Sequence, residues 1–173
     1  HEWFANNVTY RDIADMWVHE SFTNYSECLY TEYHFGKDAG AEYVRGCRKQ
    51  IENKRPIVGV YGVNAEGSGD MYYKGGNMLH TIRQIVDNDE KWRSILRGLN
   101  RDFYHQTVDG SQVEAYIVQH SGKSLQKVFD QYLRERIFEP LGMVDTAFQV
   151  APEQAGRFAA NYGRNAKKET VLI

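Results

Sequence analysis

The sequence predicts a mainly α-helical protein whose helices pack on one another. Apolar residues recur at helical spacing over most of the chain, and glycine or Asn-Asp residues separate the successive stretches. Hydrophobic residues make up 42 % of the 173 residues, which is enough for a core in one domain or in one domain with a small appendage. From residue 141 onward the pattern becomes irregular.

Two helices are predicted in the first third of the chain. Residues 12–35 form the first, and Gly36 ends it. Residues 39–52 form the second, which Arg55–Pro56 interrupts because the residue before a proline disfavours helical geometry. The apolar positions of the first helix are spaced by three to five residues: Ile13, Trp17, Phe22, Tyr25, Leu29 and Tyr33.

The middle of the chain is predicted to pass from extended structure back to helix. An extended segment at 57–61 is followed by a Gly-rich loop at 64–70. Helices are then predicted over residues 71–86 and from Asn88–Asp89 to about residue 101.

Two further helices are predicted from cap signals. Ser111 and Glu114 have the spacing of a capping box, and Gly122 ends that helix. Ser124 is predicted to cap the next helix, which Glu139–Pro140 closes. Its apolar stripe consists of Leu125, Val128, Phe129, Tyr132 and Leu133.

Composition excludes some classes of partner. A net charge of −2 gives no reason to expect nucleic acid, and no apolar run approaches the roughly 20 residues that a membrane-spanning helix needs. Cys28 and Cys47 lack CxxC spacing, so we expect free thiols packed in helices, with a disulfide or metal site as the less favoured alternative. The sequence predicts neither a compartment nor an oligomeric state.

The first 20 residues carry a pair of candidate metal ligands. His1 is followed by 18 residues and then by Glu20. Zinc peptidases need two His and one carboxylate around one ion, and the two His come from HExxH on one helix while the carboxylate comes from the next. The spacing matches the distal half of that arrangement. Taken alone, however, a terminal His is more often a frayed chain end and a helical Glu a solvated charge.

The residues around this pair closely resemble the gluzincin zinc aminopeptidases of the aminopeptidase N and leukotriene hydrolase type. In that family HExxH-x-W-F-G-N is followed by a W-L-N-E-G-F-A-like run whose Glu binds zinc. The matching residues here are His1-x-Trp3-Phe4-x-Asn6, Val8-Thr9 and Trp17-Val18-x-Glu20-x-Phe22. Three positions depart from the pattern: Ala5 and Ser21 each replace a Gly, and His19 replaces an Asn.

The resemblance implies a partial thermolysin-like catalytic domain with one Zn²⁺ ion and a peptide substrate, from which N-terminal residues are removed. His1 then corresponds to the second zinc His and Glu20 to the zinc carboxylate. The first zinc His and the general-base Glu of HExxH are expected immediately before His1. We therefore expect the chain by itself to bind zinc poorly and to be nearly inactive.

A second motif is a tyrosine loop at residues 70–76, Asp-Met-Tyr-Tyr-Lys-Gly-Gly. It resembles the Y-x-K-G segment of the same family, in which the Tyr stabilises the oxyanion of the tetrahedral intermediate. The resemblance assigns that role to Tyr72, whose phenol can donate a hydrogen bond to developing negative charge. The alternative is that Tyr72 and Tyr73 are ordinary packing residues. Lys74 and Gly75 are expected to fix the loop and the start of the helix.

The resemblance extends over residues 1–133, and a different one begins at residue 134. Residues 137–146, Ile-Phe-Glu-Pro-Leu-Gly-Met-Val-Asp-Thr, are similar to a structural segment of serine β-lactamase-like esterases. Ser124 and Lys127 also spell SxxK, the nucleophile-and-base motif of those enzymes, but a helix cap explains Ser124 better. Three alternatives to a zinc aminopeptidase stay open: a non-catalytic helical module, a fusion or chimera, and a serine hydrolase fragment.

Overall fold

The computed structural model describes residues 1–134 and the backbone of residues 162–164 and 170–172. Its α-helices are α1 (Trp17–Phe35), α2 (Lys37–Cys47), α3 (Asp70–Val86), α4 (Asp89–Asp102), α5 (Gly110–Ser121) and α6 (Gln126–Phe129). Helix α6 continues as a π-helical turn at Asp130–Arg134, and 3-10 turns lie at Ile13–Asp15 and Arg48–Gln50. The short strands are β1 (Val8–Tyr10), β2 (Gln106–Val108), β3 (Tyr162–Arg164) and β4 (Thr170–Leu172). The predicted mainly α-helical class is confirmed.

Several predicted helix boundaries are confirmed by the backbone. Helix α1 ends at Gly36, and α5 ends at Gly122; both glycines have positive φ angles, 93° and 68°, which disfavour a residue with a side chain. Asn88 caps α4, because its side chain accepts the Lys91 N–H at 2.8 Å.

Other predicted boundaries are wrong. The predicted start of the first helix is a separate 3-10 turn, because the Asp12 carboxylate accepts the Ala14 N–H at 2.9 Å. The capping box of α5 is formed by Asp109 and Gln112, so the predicted Ser111–Glu114 pair lies inside the helix. Ser124 is not a cap, since Leu125 occupies the N-cap position of α6.

Two further predictions fail along the first half of the chain. Tyr33, predicted to share the apolar stripe of α1, is 85 % exposed. Residues 57–61, predicted as an extended segment, form a loop in which Val60 makes an isolated antiparallel bridge to Ala65. The N–H groups of Ile57 and Val58 donate to the Leu133 carbonyl, at 2.9 and 3.1 Å, and that of Gly59 donates to Ala14.

A parallel pair of strands, absent from the sequence prediction, joins the segment before α1 to the segment between α4 and α5. Val8 pairs with Gln106, Thr9 with Thr107 and Tyr10 with Val108. Each strand has three residues, which is too short for an alternating pattern to be visible in the sequence. The chain divides into two compact units, residues 1–142 and 143–173. In the second, β3 and β4 pair antiparallel, and Tyr162 faces Leu172 in the register.

The core of the first unit is built where α1 crosses α3. Trp17, Phe22, Met78, Leu79 and Ile82 are among the most deeply buried side chains. The two helices approach closely at two glycines of α3: a Cβ added at Gly75 would overlap the Ser21 hydroxyl, and one added at Gly76 would overlap the Asn24 side chain. The predicted free thiols, Cys28 and Cys47, are also buried and free.

A buried carboxylate connects three distant segments. Asp15 is 1 % exposed, and its two oxygens accept hydrogen bonds from Trp17 Nε1 at 3.3 Å, the Tyr61 hydroxyl at 2.8 Å and the Gly110 N–H at 2.8 Å. Gly110 begins α5, so the negative charge lies at the positive end of that helix. Asp15 thereby fastens the loop containing Tyr61 and the start of α5 to the start of α1.

An ionic clamp ties four helices together at the other end of α1. The Arg83 guanidinium of α3 donates two hydrogen bonds to Glu32 of α1, at 2.6 and 2.8 Å, and one to Asp89 of α4 at 2.8 Å. Lys37, the first residue of α2, donates to the same Asp89 at 2.7 Å. Arg83 is almost fully buried and Glu32 is largely buried, so their two bonds are shielded from water, whereas the Lys37–Asp89 bond lies at the surface.

The C-terminal motif that resembles serine hydrolases, residues 137–146, lies outside the described residues, and the boundary at residue 134 stays a prediction. Among the helices that the structure describes, none has the length and apolar composition needed to cross a membrane.

The clamp generates a pH-dependent stability prediction. Arg83 holds the pKa of the Glu32 and Asp89 carboxyls below their ordinary values, so the unfolded chain takes up protons at a higher pH than the folded one. Stability from the clamp is therefore fully present above the unfolded pKa values of about 4, and it is lost as the pH falls through the lower pKa values of the folded chain. We expect Arg83→Met to lower the free energy of unfolding by about 2–3 kcal/mol at pH 7 and by clearly less at about pH 2, where the carboxyls of the folded chain begin to be protonated.

Urea unfolding followed by circular dichroism at the two pH values measures this. Arg93→Met is the matched control: its ion pair with Glu90 is exposed, so its effect stays within about 0.5 kcal/mol at both pH values. An equal loss for Arg83→Met at both pH values would contradict the assignment of the pH dependence to the clamp.

Candidate active site

The structure brings the two predicted metal ligands together. His1 Nε2 lies 3.4 Å from Glu20 Oε2. Glu20 belongs to the first turn of α1, and its side chain is 10 % exposed, whereas that of His1 is 46 % exposed. Burial raises the pKa of the Glu20 carboxyl. The pair forms an imidazole and a carboxylate that face each other at the edge of the core.

The His1 ring is oriented from behind by the backbone. Its Nδ1 lies 3.2 Å from the Phe4 carbonyl oxygen and 3.3 Å from the Thr23 hydroxyl. A neutral ring that donates from Nδ1 to a carbonyl keeps its lone pair on Nε2, the atom that faces Glu20. Metal-binding His residues are commonly fixed by such a bond from the second ring nitrogen.

The separation of the two donor atoms fits one zinc ion. Zn–N and Zn–O bonds of about 2.0–2.2 Å with tetrahedral angles put adjacent donors about 3.4 Å apart. His1 and Glu20 therefore suit two neighbouring positions around the ion. A catalytic zinc site uses three protein ligands, and in residues 1–134 no group of three or more His, Cys, Asp or Glu side chains is arranged to hold a metal.

The turn that holds His1 contains a strained residue. The Asn6 N–H donates to the His1 carbonyl at 3.1 Å, the bond that commonly closes the end of a helix around a residue with positive φ. Ala5 occupies that position with φ of 130°, a region that favours glycine. The departure at Ala5 noted in the sequence therefore has a structural cost.

His19, beside Glu20, is buried and makes a backbone contact that the sequence did not reveal. Its Nε2 accepts the Tyr10 N–H at 3.1 Å, and its ring stacks on the Tyr10 ring with centroids 4.2 Å apart. Burial lowers the pKa of His19 to about 4, so the ring is neutral at physiological pH. Its only signal in the sequence was the replacement of the family's usual Asn.

Ser21, on the other side of Glu20, connects α1 to the tyrosine loop. Its hydroxyl donates to the Met71 carbonyl at 2.7 Å, and Gly75 packs directly against it. Met71 immediately precedes Tyr72, so this bond sets the position of the first turn of α3 relative to Glu20.

Tyr72 lies at the start of α3 and is 39 % exposed. Burial and the negative charges of Glu20 and Glu66 raise the pKa of its hydroxyl. Met71, the residue before Tyr72, is bonded to Ser21, the residue after Glu20, so the start of α3 lies beside the first turn of α1. The structure therefore brings Tyr72 to the same region as the His1–Glu20 pair. The effect of Glu66 on the Tyr72 pKa was not predicted from the sequence.

The remaining residues of the tyrosine loop support its shape. The Asp70 carboxylate accepts the N–H groups of Glu52 and Asn53, at 2.8 and 2.6 Å, and so anchors the segment after α2. Lys74 is 1 % exposed, and burial lowers its pKa against the opposing effect of the Asp70 charge. Neither side chain is presented to solvent, as expected for residues that fix the loop.

Two other features are separate from this site. A cavity of about 500 Å³ beside the Arg83 clamp is lined by polar residues of α1–α4 and includes none of the predicted site residues. Ser124 and Lys127 are exposed at the start of α6. A serine nucleophile needs a base within hydrogen-bond reach and a group that orients that base, so their exposure does not favour the SxxK interpretation.

Comparison with known proteins identifies the class. The Peptidase family M1 domain matches residues 1–132, and the chain belongs to this family. The gluzincin resemblance inferred from the motifs is thereby confirmed.

Curated relatives are much longer than this chain. Tricorn protease-interacting factor F2 of Thermoplasma acidophilum is 24 % identical over 172 residues, which cover 89 % of this chain and 21 % of that protein. Endoplasmic reticulum aminopeptidase 1 of Rattus norvegicus is 26 % identical over 117 residues, which cover 62 % of this chain and 13 % of that protein. The chain thus spans about a fifth or less of these relatives.

Solved structures share the fold. An M1 zinc metallopeptidase from Deinococcus radiodurans superimposes with a TM-score of 0.66 at 21 % identity, covering 79 % of this chain and 31 % of that one. A mutant of a two-domain M1 zinc metallopeptidase bound to L-tryptophan gives a TM-score of 0.66 at 24 % identity, with the same coverage. These similarities place the described helices in the M1 metallopeptidase fold.

The strain at Ala5 gives a stability prediction. Ala5→Gly should relieve a backbone strain of about 1–3 kcal/mol in the folded chain. Glycine also makes the unfolded chain more flexible, which opposes folding by about 0.5–1 kcal/mol. We therefore expect the free energy of unfolding to rise by about 1 kcal/mol. Ala115→Gly, at an exposed position inside α5, is the matched control and should cost about 1 kcal/mol. Thermal unfolding measures both; destabilisation by Ala5→Gly would show that the turn tolerates alanine without strain.

Proposed function

We propose that residues 1–133 are part of the catalytic domain of a zinc aminopeptidase, in which His1 and Glu20 bind the metal and Tyr72 stabilises the reaction's oxyanion. The observation that carries the proposal is the 3.4 Å separation of His1 Nε2 and Glu20 Oε2 in a chain of the M1 family. The family match covers residues 1–132, and the boundary before residue 134 stays a prediction. The alternative, a helical module without catalysis, predicts no metal binding at this pair.

The described residues divide the work of peptide hydrolysis. The Phe4 carbonyl keeps the His1 lone pair directed at the metal position, and the Glu20 carboxylate faces the same point. When bound, zinc polarises the scissile carbonyl and lowers the pKa of a water molecule to about 7. Tyr72 donates its hydroxyl proton in a hydrogen bond to the carbonyl oxygen as that oxygen becomes charged. A raised pKa keeps this phenol protonated, which is the form that donates.

The proposed substrate is a peptide with a free N-terminus. One relative is named an aminopeptidase, and one M1 structure of this fold was solved with a Tyr-Ser-Ala substrate. Tyr72 is partly exposed, so a substrate carbonyl can approach it from solvent.

Zinc binding tests the ligand assignment. A catalytic site uses three protein ligands, so we expect the 173-residue chain to bind zinc weakly. Joining His-Glu-Leu-Ala in front of His1 completes HExxH, and we expect this extended chain to bind one equivalent at least about 100-fold more tightly. Loss of a supporting residue alone costs 10–100-fold, and a ligand contributes more. Competition with a chromophoric zinc chelator measures the affinity.

Single variants of the extended chain complete the test. His1→Ala and Glu20→Gln should each cancel the gain, whereas Glu42→Gln, an exposed carboxylate on α2, should leave the affinity unchanged. Affinity that survives Glu20→Gln would mean that the ion is held elsewhere and would refute the assignment.

Tyr72→Phe tests the oxyanion role. In the zinc-loaded extended chain we expect kcat for an aminoacyl anilide to fall about 10²–10³-fold, with KM and zinc affinity unchanged, because the lost bond forms only in the transition state. Tyr73→Phe, at the adjacent half-buried position, is the matched control and should retain kcat. A phosphinic peptide that mimics the tetrahedral intermediate should lose affinity for Tyr72→Phe by a similar factor. Equal behaviour of the two variants would assign Tyr72 to packing.

A further inference from the structure

We infer that His19 and Ser21, the residues on either side of Glu20, are positioning residues that hold the segments carrying His1 and Tyr72 against the first turn of α1. The inference rests on the proposed function for the roles of His1, Glu20 and Tyr72. Both positions depart from the family pattern described in the sequence analysis.

His19 anchors the segment that follows His1. The Tyr10 N–H donates to His19 Nε2 at 3.1 Å, so Nε2 carries the lone pair and acts as an acceptor. Tyr10 is the last residue of β1, and the first residue of that strand, Val8, donates its N–H to the Trp3 carbonyl at 3.2 Å. Backbone bonds therefore run continuously from the turn that contains His1 to the strand that His19 holds.

Ser21 anchors the start of α3. Its hydroxyl, fully buried, donates to the Met71 carbonyl at 2.7 Å, one residue before Tyr72. The absence of a side chain at Gly75 allows this contact, since a Cβ there would overlap the Ser21 hydroxyl. Ser21 thereby holds the residue that precedes Tyr72 against the first turn of α1.

Three consecutive residues of one helical turn thus contact three different segments: His19 contacts β1, Glu20 contacts the turn of His1, and Ser21 contacts the start of α3. Successive residues of an α-helix point about 100° apart, so His19, Glu20 and Ser21 project in different directions from the same backbone. Two hydrogen bonds that share one rigid turn thus contribute to the relative positions of His1, Glu20 and Tyr72. Substituting His19 should disturb only the His1 side, and substituting Ser21 only the Tyr72 side.

The test uses nuclear magnetic resonance of the metal-free 173-residue chain and four variants. His19→Phe keeps an aromatic ring but removes the acceptor, whereas His19→Gln places an acceptor at a similar distance without the ring. Ser21→Ala removes the hydroxyl between helices. Ser26→Ala is its matched control, because the Ser26 hydroxyl donates to the Phe22 carbonyl within the same helix α1.

We expect the His19 and Ser21 variants to disturb different parts of the site, independently of each other. In His19→Phe the Tyr10 amide exchanges about tenfold faster, as for the loss of one hydrogen bond, and the nuclear Overhauser contact between the His1 ring and the Glu20 side chain disappears. The Tyr72 ring resonances stay unchanged, and His19→Gln restores both His1-side signals. In Ser21→Ala the Met71 carbonyl ¹³C and Tyr72 ring resonances shift while the His1–Glu20 contact persists; Ser26→Ala changes neither.

Two outcomes would overturn the inference. One is a His1–Glu20 contact that survives His19→Phe although Tyr10 exchange accelerates; the other is an equal disturbance of both sides by either substitution, which indicates general loosening. If His19→Phe does not fold, Tyr10→Pro removes the same donor while keeping His19, and the loss or persistence of the His1–Glu20 contact decides the matter. This test uses no metal. If the two hydrogen bonds behave as expected but the extended chain does not bind zinc, the result contradicts the proposed function and leaves this inference intact.

Discussion

The close approach of α1 and α3 is the constraint on which the rest of the first unit depends. Two adjacent glycines of α3 lie against Ser21 and Asn24 of α1, and either Cβ would collide with these side chains. Because the backbones come so near, the apolar faces of both helices interlock with Trp17 and Phe22 in the centre of the core. The same crossing places the start of α3, with Tyr72, beside the start of α1, with Glu20. Packing and site geometry thus have one cause.

Most residues of the candidate site lie on helices, which fix their relative positions. Glu20 and Tyr72 belong to first turns of long helices, and the opposite end of this helix pair is held by the Arg83 clamp. Residues on helices keep their relative positions better than residues on loops do, which is a requirement for metal coordination and for a hydrogen bond to a transient charge. His1 is the exception: it depends on backbone bonds of a short turn and on the Phe4 carbonyl.

Local sequence signals were sufficient for most helices, because apolar spacing and Gly36, Asn88 and Gly122 act within one or two turns. The β1–β2 pair could not be predicted, because three-residue strands show no alternating pattern and the two strands are far apart in the sequence. The proximity of His1 and Glu20 followed from the motif, not from general principles. The roles of His19 and Ser21 could not be predicted, because each depends on which distant backbone group the helix turn happens to face.

Asp15 has a consequence for the kinetics of folding. Its carboxylate bonds to Tyr61 and Gly110, which are 46 and 95 residues away, so these bonds cannot form until the intervening helices have condensed. A contact absent from the transition state adds nothing to the folding rate but must be broken before the chain can leave the native state. We therefore expect the Asp15 bonds to form late in folding and to affect the rate at which the first unit unfolds more than the rate at which it folds.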